Sequence, residues 1–93
     1  MKVTVEGVPY KVRWQYGLAG NGVCVRRLTE CRISRNTNPE EDYVGFAECS
    51  PTDHFCKETG RKVSLTRALK HATRVLGWGG KQRRVVWETY FSR

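Results

Sequence analysis

The residues of this chain best suited to catalysis are Asp53, His54 and Cys56, which stand within four positions of one another. General acid–base or nucleophilic work needs such groups held together in a water-poor cleft. Side chains adjacent on one turn rarely converge on a single reacting atom, so Asp53-His54 reads as local capping, and a Cys56–His54 nucleophile meets the same objection. Paired carboxylates occur only at Glu40, Glu41 and Asp42, in a polar stretch too exposed to tune their acidity. No catalytic residue, no cofactor and no enzymatic activity is expected.

The four cysteines, Cys24, Cys31, Cys49 and Cys56, form two pairs with the same internal spacing. Disulfides, a metal site and buried thiols are the three readings. Six residues separate the partners of each pair, more than the roughly two to four of a structural zinc knuckle, which must aim two sulfurs at one tetrahedral ion. A four-cysteine zinc site assembled from neighbouring strands, with His54 as a spare ligand, is the minority reading; small apolar fillers are the default. No secretory leader is evident, which removes the usual compartment for disulfides, and a cytoplasmic protein is expected.

Cations are the third chemical set. Arg67, Lys70 and Arg74 fall within about 60° of one another at 100° per residue, with His71 beside them. The first 56 residues hold seven Lys or Arg and seven Asp or Glu; the last 37 hold ten and two, so the whole formal net charge of +8 lies in the C-terminal part. A field of one sign concentrates counter-ions, and nucleic acid, a nucleoprotein complex or an acidic protein surface are the partners it suits. No run is long enough to span a membrane.

The elements that must position these groups follow from periodicity. Pro51 to Gly60 reads as a turn and Ser64 to Leu76 as a helix, with Leu65, Ala68, Leu69, Ala72 and Leu76 as its apolar stripe, Ser64 as N-cap and Gly77 in the left-handed position after the last turn. Met1 to Tyr16 reads as a hairpin: Val8, Tyr10, Val12, Trp14 and Tyr16 alternate with polar residues, Glu6-Gly7 supplies the turn, and Pro9 belongs at an edge or a gap in the ladder. Gly17 to Gly22 is expected to be a loop; its glycines could cradle a phosphate, but no Gly-Lys-Ser/Thr follows. Val23 to Arg35 is a third strand with a bulge at Arg26-Arg27 that puts Leu28 on the face of Cys31 and Ile33. Asn36 to Asp42 is expected as an exposed acidic loop, and Tyr43 to Cys49 as a short fourth strand. Trp78, among three glycines, either caps the core or offers an aromatic platform. Lys81 to Arg93 is helical or extended, and the spacing of Val86, Trp87, Tyr90 and Phe91 favours a second helix packed on the first.

The fold class is therefore α+β in a single domain over residues 1–93: a three- or four-stranded antiparallel sheet within residues 1–50, and one or two helices from the basic residues 51–93 packed on one of its faces.

The segment Gly45-Phe46-Ala47-Glu48-Cys49-Ser50-Pro51-Thr52-Asp53-His54-Phe55, with Gly60-Arg61-Lys62, Leu65 and Arg67-Ala68-Leu69, resembles a pattern found in small bacteriophage proteins. The similarity covers about 25 residues. It implies a phage or prophage origin and a host-takeover or anti-defence role, anti-CRISPR proteins included, exercised by binding and occlusion in the host cytoplasm. The pattern brings no assigned functional residue. The expected contact set is Arg61, Lys62, Arg67, Lys70, Arg74, Trp78, Lys81, Arg83 and Arg84, facing nucleic acid or a host nucleoprotein complex. The rivals are a protein-only inhibitor docking through its sheet or acidic loop, and a zinc-stabilised nucleic-acid module.

Overall fold

The computed structural model describes residues 1–20, 25–35, 38–49 and 56–93. Four antiparallel strands, β1 (Lys2–Val5), β2 (Val8–Gly20), β3 (Val25–Arg35) and β4 (Asn38–Cys49), pair in the order β1-β2-β3-β4. Two helices follow, α1 (Lys57–Leu76) and α2 (Gly80–Ser92). Both helices cover the same face of the sheet: Val3, Val5, Tyr10, Val12, Cys31, Ile33 and Tyr43 meet Leu65, Leu69, Ala72, Val86 and Tyr90 in one apolar cluster. The α+β architecture thus matches expectation, and the ambiguous C-terminal segment is a helix.

Local chemistry explains the first hairpin. Glu6 and Gly7 both take positive φ, 52° and 78°, the two left-handed residues that a primed turn requires. Met1 and Val12 exchange backbone hydrogen bonds of 2.7 and 2.9 Å. Alternation along the ladder then makes Thr4↔Pro9 a non-hydrogen-bonded pair. The ring nitrogen of Pro9 therefore faces away from β1, and on that side pairing with β3 begins only at Tyr10↔Arg35.

Beyond Tyr16 the expected loop is instead strand through Gly20, because β2 and β3 stay in register from Tyr10↔Arg35 to Gly20↔Val25; Asn21 to Cys24 lie outside the described residues. Ladder hydrogen bonds come from the backbone, so Gly17 does not end the strand once a partner is alongside. No bulge occurs at Arg26-Arg27. The register shift sits between Ser34 and Arg35, which leaves Leu28 on the outer face and gives the buried inner position to Thr29. The acidic stretch is likewise strand from Asn38 onward, its charges balanced across the ladder: Asp42 meets Arg32 at 2.7 Å and Glu41 meets Arg35 at 3.6 Å. With β2 some 43 Å long at about 3.3 Å per residue, this sheet sets the molecule's 46 Å long axis.

The long helix begins at Lys57, about two turns before Ser64. Cys56 occupies the N-cap, while Ser64 is internal and buried, its hydroxyl donating to the carbonyls of Gly60 at 2.7 Å and Arg61 at 3.1 Å. Gly60 lies inside the helix at a close approach to β3: a Cβ there would stand 2.6 Å from Thr29 Oγ1. At the other end Gly77 is left-handed, φ 71°, and its N–H donates to the carbonyl of Thr73, as its spacing predicts. At the start of α2, the N–H of Gly79 donates to Gln82 Oε1 at 2.8 Å, and the amide of Gln82 donates to Glu6 in the first turn.

The tightest contact of the fold is between α1 and β4. A Cβ on Gly45 would lie 2.2 Å from Ala68 N and 2.3 Å from Ser64 O, both backbone atoms that cannot swing aside. Gly45→Ala is therefore expected to lower stability by about 2–3 kcal/mol, read as a fall in denaturation midpoint. Gly80→Ala, where the added methyl meets open space, should leave the midpoint unchanged or slightly higher. Equal behaviour of the two variants would refute the close approach.

Candidate nucleic-acid interface

Of the expected contact residues, Lys70, Arg83 and Arg84 converge. They line a groove of about 470 Å³ between α1 and α2, together with Thr66, Leu69, Gly80 and Trp87. Arg74 lies about one turn beyond Lys70 on α1, and Lys81 about one turn before Arg84 on α2. All five cations are exposed, and among the described residues none of them forms an ion pair. No carboxylate lines the groove.

Glu30, Glu41, Asp42 and Glu48 of the N-terminal half are engaged elsewhere. Arg32 holds Glu30 at 2.6 Å and Asp42 at 2.7 Å, and Arg26 holds Glu48 at 3.4 Å. Asp42, accepting from Ser34 and Arg32, is held below the usual carboxylate range. Among the described residues, no carboxylate of the front half pairs with the five groove-side cations.

Other members of the expected set have structural partners. Arg61 donates to Glu58 at 2.6 Å and to the Tyr16 hydroxyl at 3.1 Å, while its carbonyl accepts from the Trp14 indole at 3.3 Å. These bonds raise the Arg61 pKa further above its ordinary range and tie α1 to β2. Lys62 approaches Glu58 at 3.8 Å and stands 5.6 Å from the centre of the Phe91 ring, at the far end of the interhelical region. Arg67 donates to the carbonyl of Phe46 at 2.5 Å, and His71 Nδ1 accepts from the N–H of Val44 at 3.1 Å. Both therefore bind backbone groups of β4 that its ladder with β3 leaves outward. His71, half-buried against the Tyr43 ring at 5.5 Å, belongs to the packing interface and not to the open cationic face.

Trp78 is 6% exposed and meets Tyr10 edge-on at 5.2 Å; of its two expected roles it takes core-capping. The indole at the groove is Trp87, which the sequence reading assigned to packing. A signal was present: Trp87 stands three and four positions after Arg84 and Arg83, on their face of the helix. It is half-buried, with Tyr90 edge-on at 5.8 Å and Phe91 stacked at 5.7 Å.

The cysteine site does not form among the described residues. Cys31 is buried on the inner face of β3, Cys49 lies four rungs along the neighbouring strand, and Cys56 is exposed at the start of α1. Four rungs are about 13 Å, beyond reach of one ion, and no cluster of three ligating side chains exists among the described residues. Burial pushes the Cys31 thiol up to about 12, which keeps it protonated. Cys24, Asp53 and His54 lie outside the described residues, as does the expected turn from Pro51 to Phe55. No described helix is long and apolar enough to cross a membrane. Comparison with protein-family models, curated proteins and solved structures found no match.

Two outcomes follow from this placement. Trp78→Ala should cost about 3–5 kcal/mol of stability as a core truncation, read by thermal or chemical melts. The hydroxyl of Tyr90 and the guanidinium of Arg61 hold the Glu58 carboxyl below its ordinary 4.5. Its stabilising contribution is accordingly present above about pH 4.5 and lost as pH falls through the depressed value. Glu58→Gln should lower the melting temperature at pH 7, and the gap to the unmodified protein should close towards pH 3.

Proposed function

We propose that this protein is a small non-enzymatic binding protein of phage type, whose helical surface grips a nucleic acid or a nucleoprotein complex and acts by occlusion. The observation that carries the reading is the groove rimmed by Lys70, Arg83 and Arg84, free of carboxylates and extended by Arg74 and Lys81. Contacts of such side chains to phosphates are independent of sequence and release condensed counter-ions, so affinity falls steeply with salt. The phage resemblance supports an anti-defence role, anti-CRISPR activity among the options, in the host cytoplasm.

A second reading keeps one specific observation in its favour. The outer face of the sheet is covered by neither helix, and it presents Phe46, 47% exposed, among charged residues. A protein-only inhibitor docking through this face would bind a host enzyme and hold it in high salt.

Pull-down from host lysate with and without nuclease separates the two: nuclease-sensitive capture supports the first reading, and nuclease-insensitive capture that survives high salt supports the second. For three phosphate contacts the log–log salt slope is about −2 on a single strand and about −2.7 on a duplex, so raising salt from 50 to 200 mM should weaken binding roughly 20- to 40-fold. Lys70→Glu with Arg83→Glu and Arg84→Glu should abolish that salt-sensitive binding while stability stays within about 1 kcal/mol, because the three side chains are exposed. Arg67 is unsuitable for this test, since it caps the edge of β4.

A further inference from the structure

The groove joins two features that a duplex cannot use together. Its rims are cationic, Lys70 on α1 facing Arg83 and Arg84 on α2, and Trp87 forms part of its wall between them. The edge-on contact with Tyr90 fixes the indole, and its half-buried state leaves part of it lining the groove. One helical turn further, Phe91 is 64% exposed and stacked on Trp87 with an angle of 22° between the rings. The Lys62 ammonium stands beside that second ring. Bases inside a duplex offer only their edges, their faces being stacked on one another. An aromatic wall is used when the base is unpaired and its face is available.

From this we infer that the groove takes single-stranded nucleic acid, with a base stacked against Trp87, a neighbouring base towards Phe91, and flanking phosphates held by Lys70, Arg83 and Arg84. This deepens, and rests on, the nucleic-acid reading above. The arrangement is tolerant of sequence, because every base has a π face and, apart from the cations, only Thr66 and the Trp87 indole bring hydrogen-bonding groups to the groove.

The test is fluorescence anisotropy with the full chain and four labelled probes of matched length: oligothymidine, its abasic analogue, a blunt duplex and polyglutamate. Oligothymidine should bind at least about 10-fold more tightly than the other three. Trp87→Ala should reduce its affinity roughly 10- to 100-fold and bring it to the level of the abasic probe. Trp87→Phe should retain most of the preference, and Lys70→Ala should weaken all anionic probes alike. Equal binding of abasic and base-bearing strands by the unmodified protein overturns the inference whether or not Trp87→Ala folds. Tighter binding of the duplex also overturns it, but leaves the nucleic-acid reading standing. Tightest binding of polyglutamate overturns it in favour of an acidic protein partner. If no nucleic-acid probe binds at 50 mM salt, the nucleic-acid reading falls and the inference falls with it.

Discussion

The structure depends on how closely α1 can approach β4. Gly45 brings the strand against the backbone of Ser64 and Ala68, a distance that no Cβ would tolerate. Small residues on that side of the helix, Ser64, Ala68 and Ala72, are all fully buried. Once the backbones are this near, His71 and Arg67 reach the outward N–H of Val44 and carbonyl of Phe46. An edge strand with unpaired backbone groups invites pairing with other chains; here the helix occupies that edge. Gly45, Gly60, Leu65, Ala68 and Leu69 together seat α1, while the open cations arise from the remaining helix face.

Seating α1 also decides the electrostatics. With Leu65 and Leu69 turned into the core, Lys70 and Arg74 must point away from it, and α2, tied through Tyr90 to Glu58 and through Gln82 to Glu6, brings Arg83 and Arg84 opposite. Glu58 is the one acidic residue of the C-terminal part with described ion-pair partners, and these are Arg61 and Lys62. Among the described residues the five groove-side cations have no such partner, at a cost in mutual repulsion that a bound polyanion would relieve.

Much of this was legible in consecutive residues. Strict alternation from Val8 to Tyr16 and the Glu6-Gly7 turn appear in the structure as read. So do the stripe of α1 and its stop at Gly77. The misreadings share a cause. Gly17 to Gly20, Asn38 to Asp42 and Lys57 to Gly60 carry loop-like composition, yet each lies in regular structure because a distant segment supplies the ladder, the counter-charge or the packing surface. Propensity is a weak prior beside such contacts.

By itself, then, the sequence determined the α+β class, the apolar faces of β2 and α1 and the segregation of positive charge into the C-terminal part, because periodicity and charge are properties of the chain as written. Only the tertiary structure decided which of two tryptophans enters the core and which lines the groove. It also decided which cations serve the fold, as Arg61 and Arg67 do, and which stay open, as Lys70, Arg83 and Arg84 do. Those choices turn on partners such as Tyr10, Tyr16 and Phe46, contributed by strands remote in sequence from the helices, and local pattern holds no record of what a side chain will meet across a packed interface.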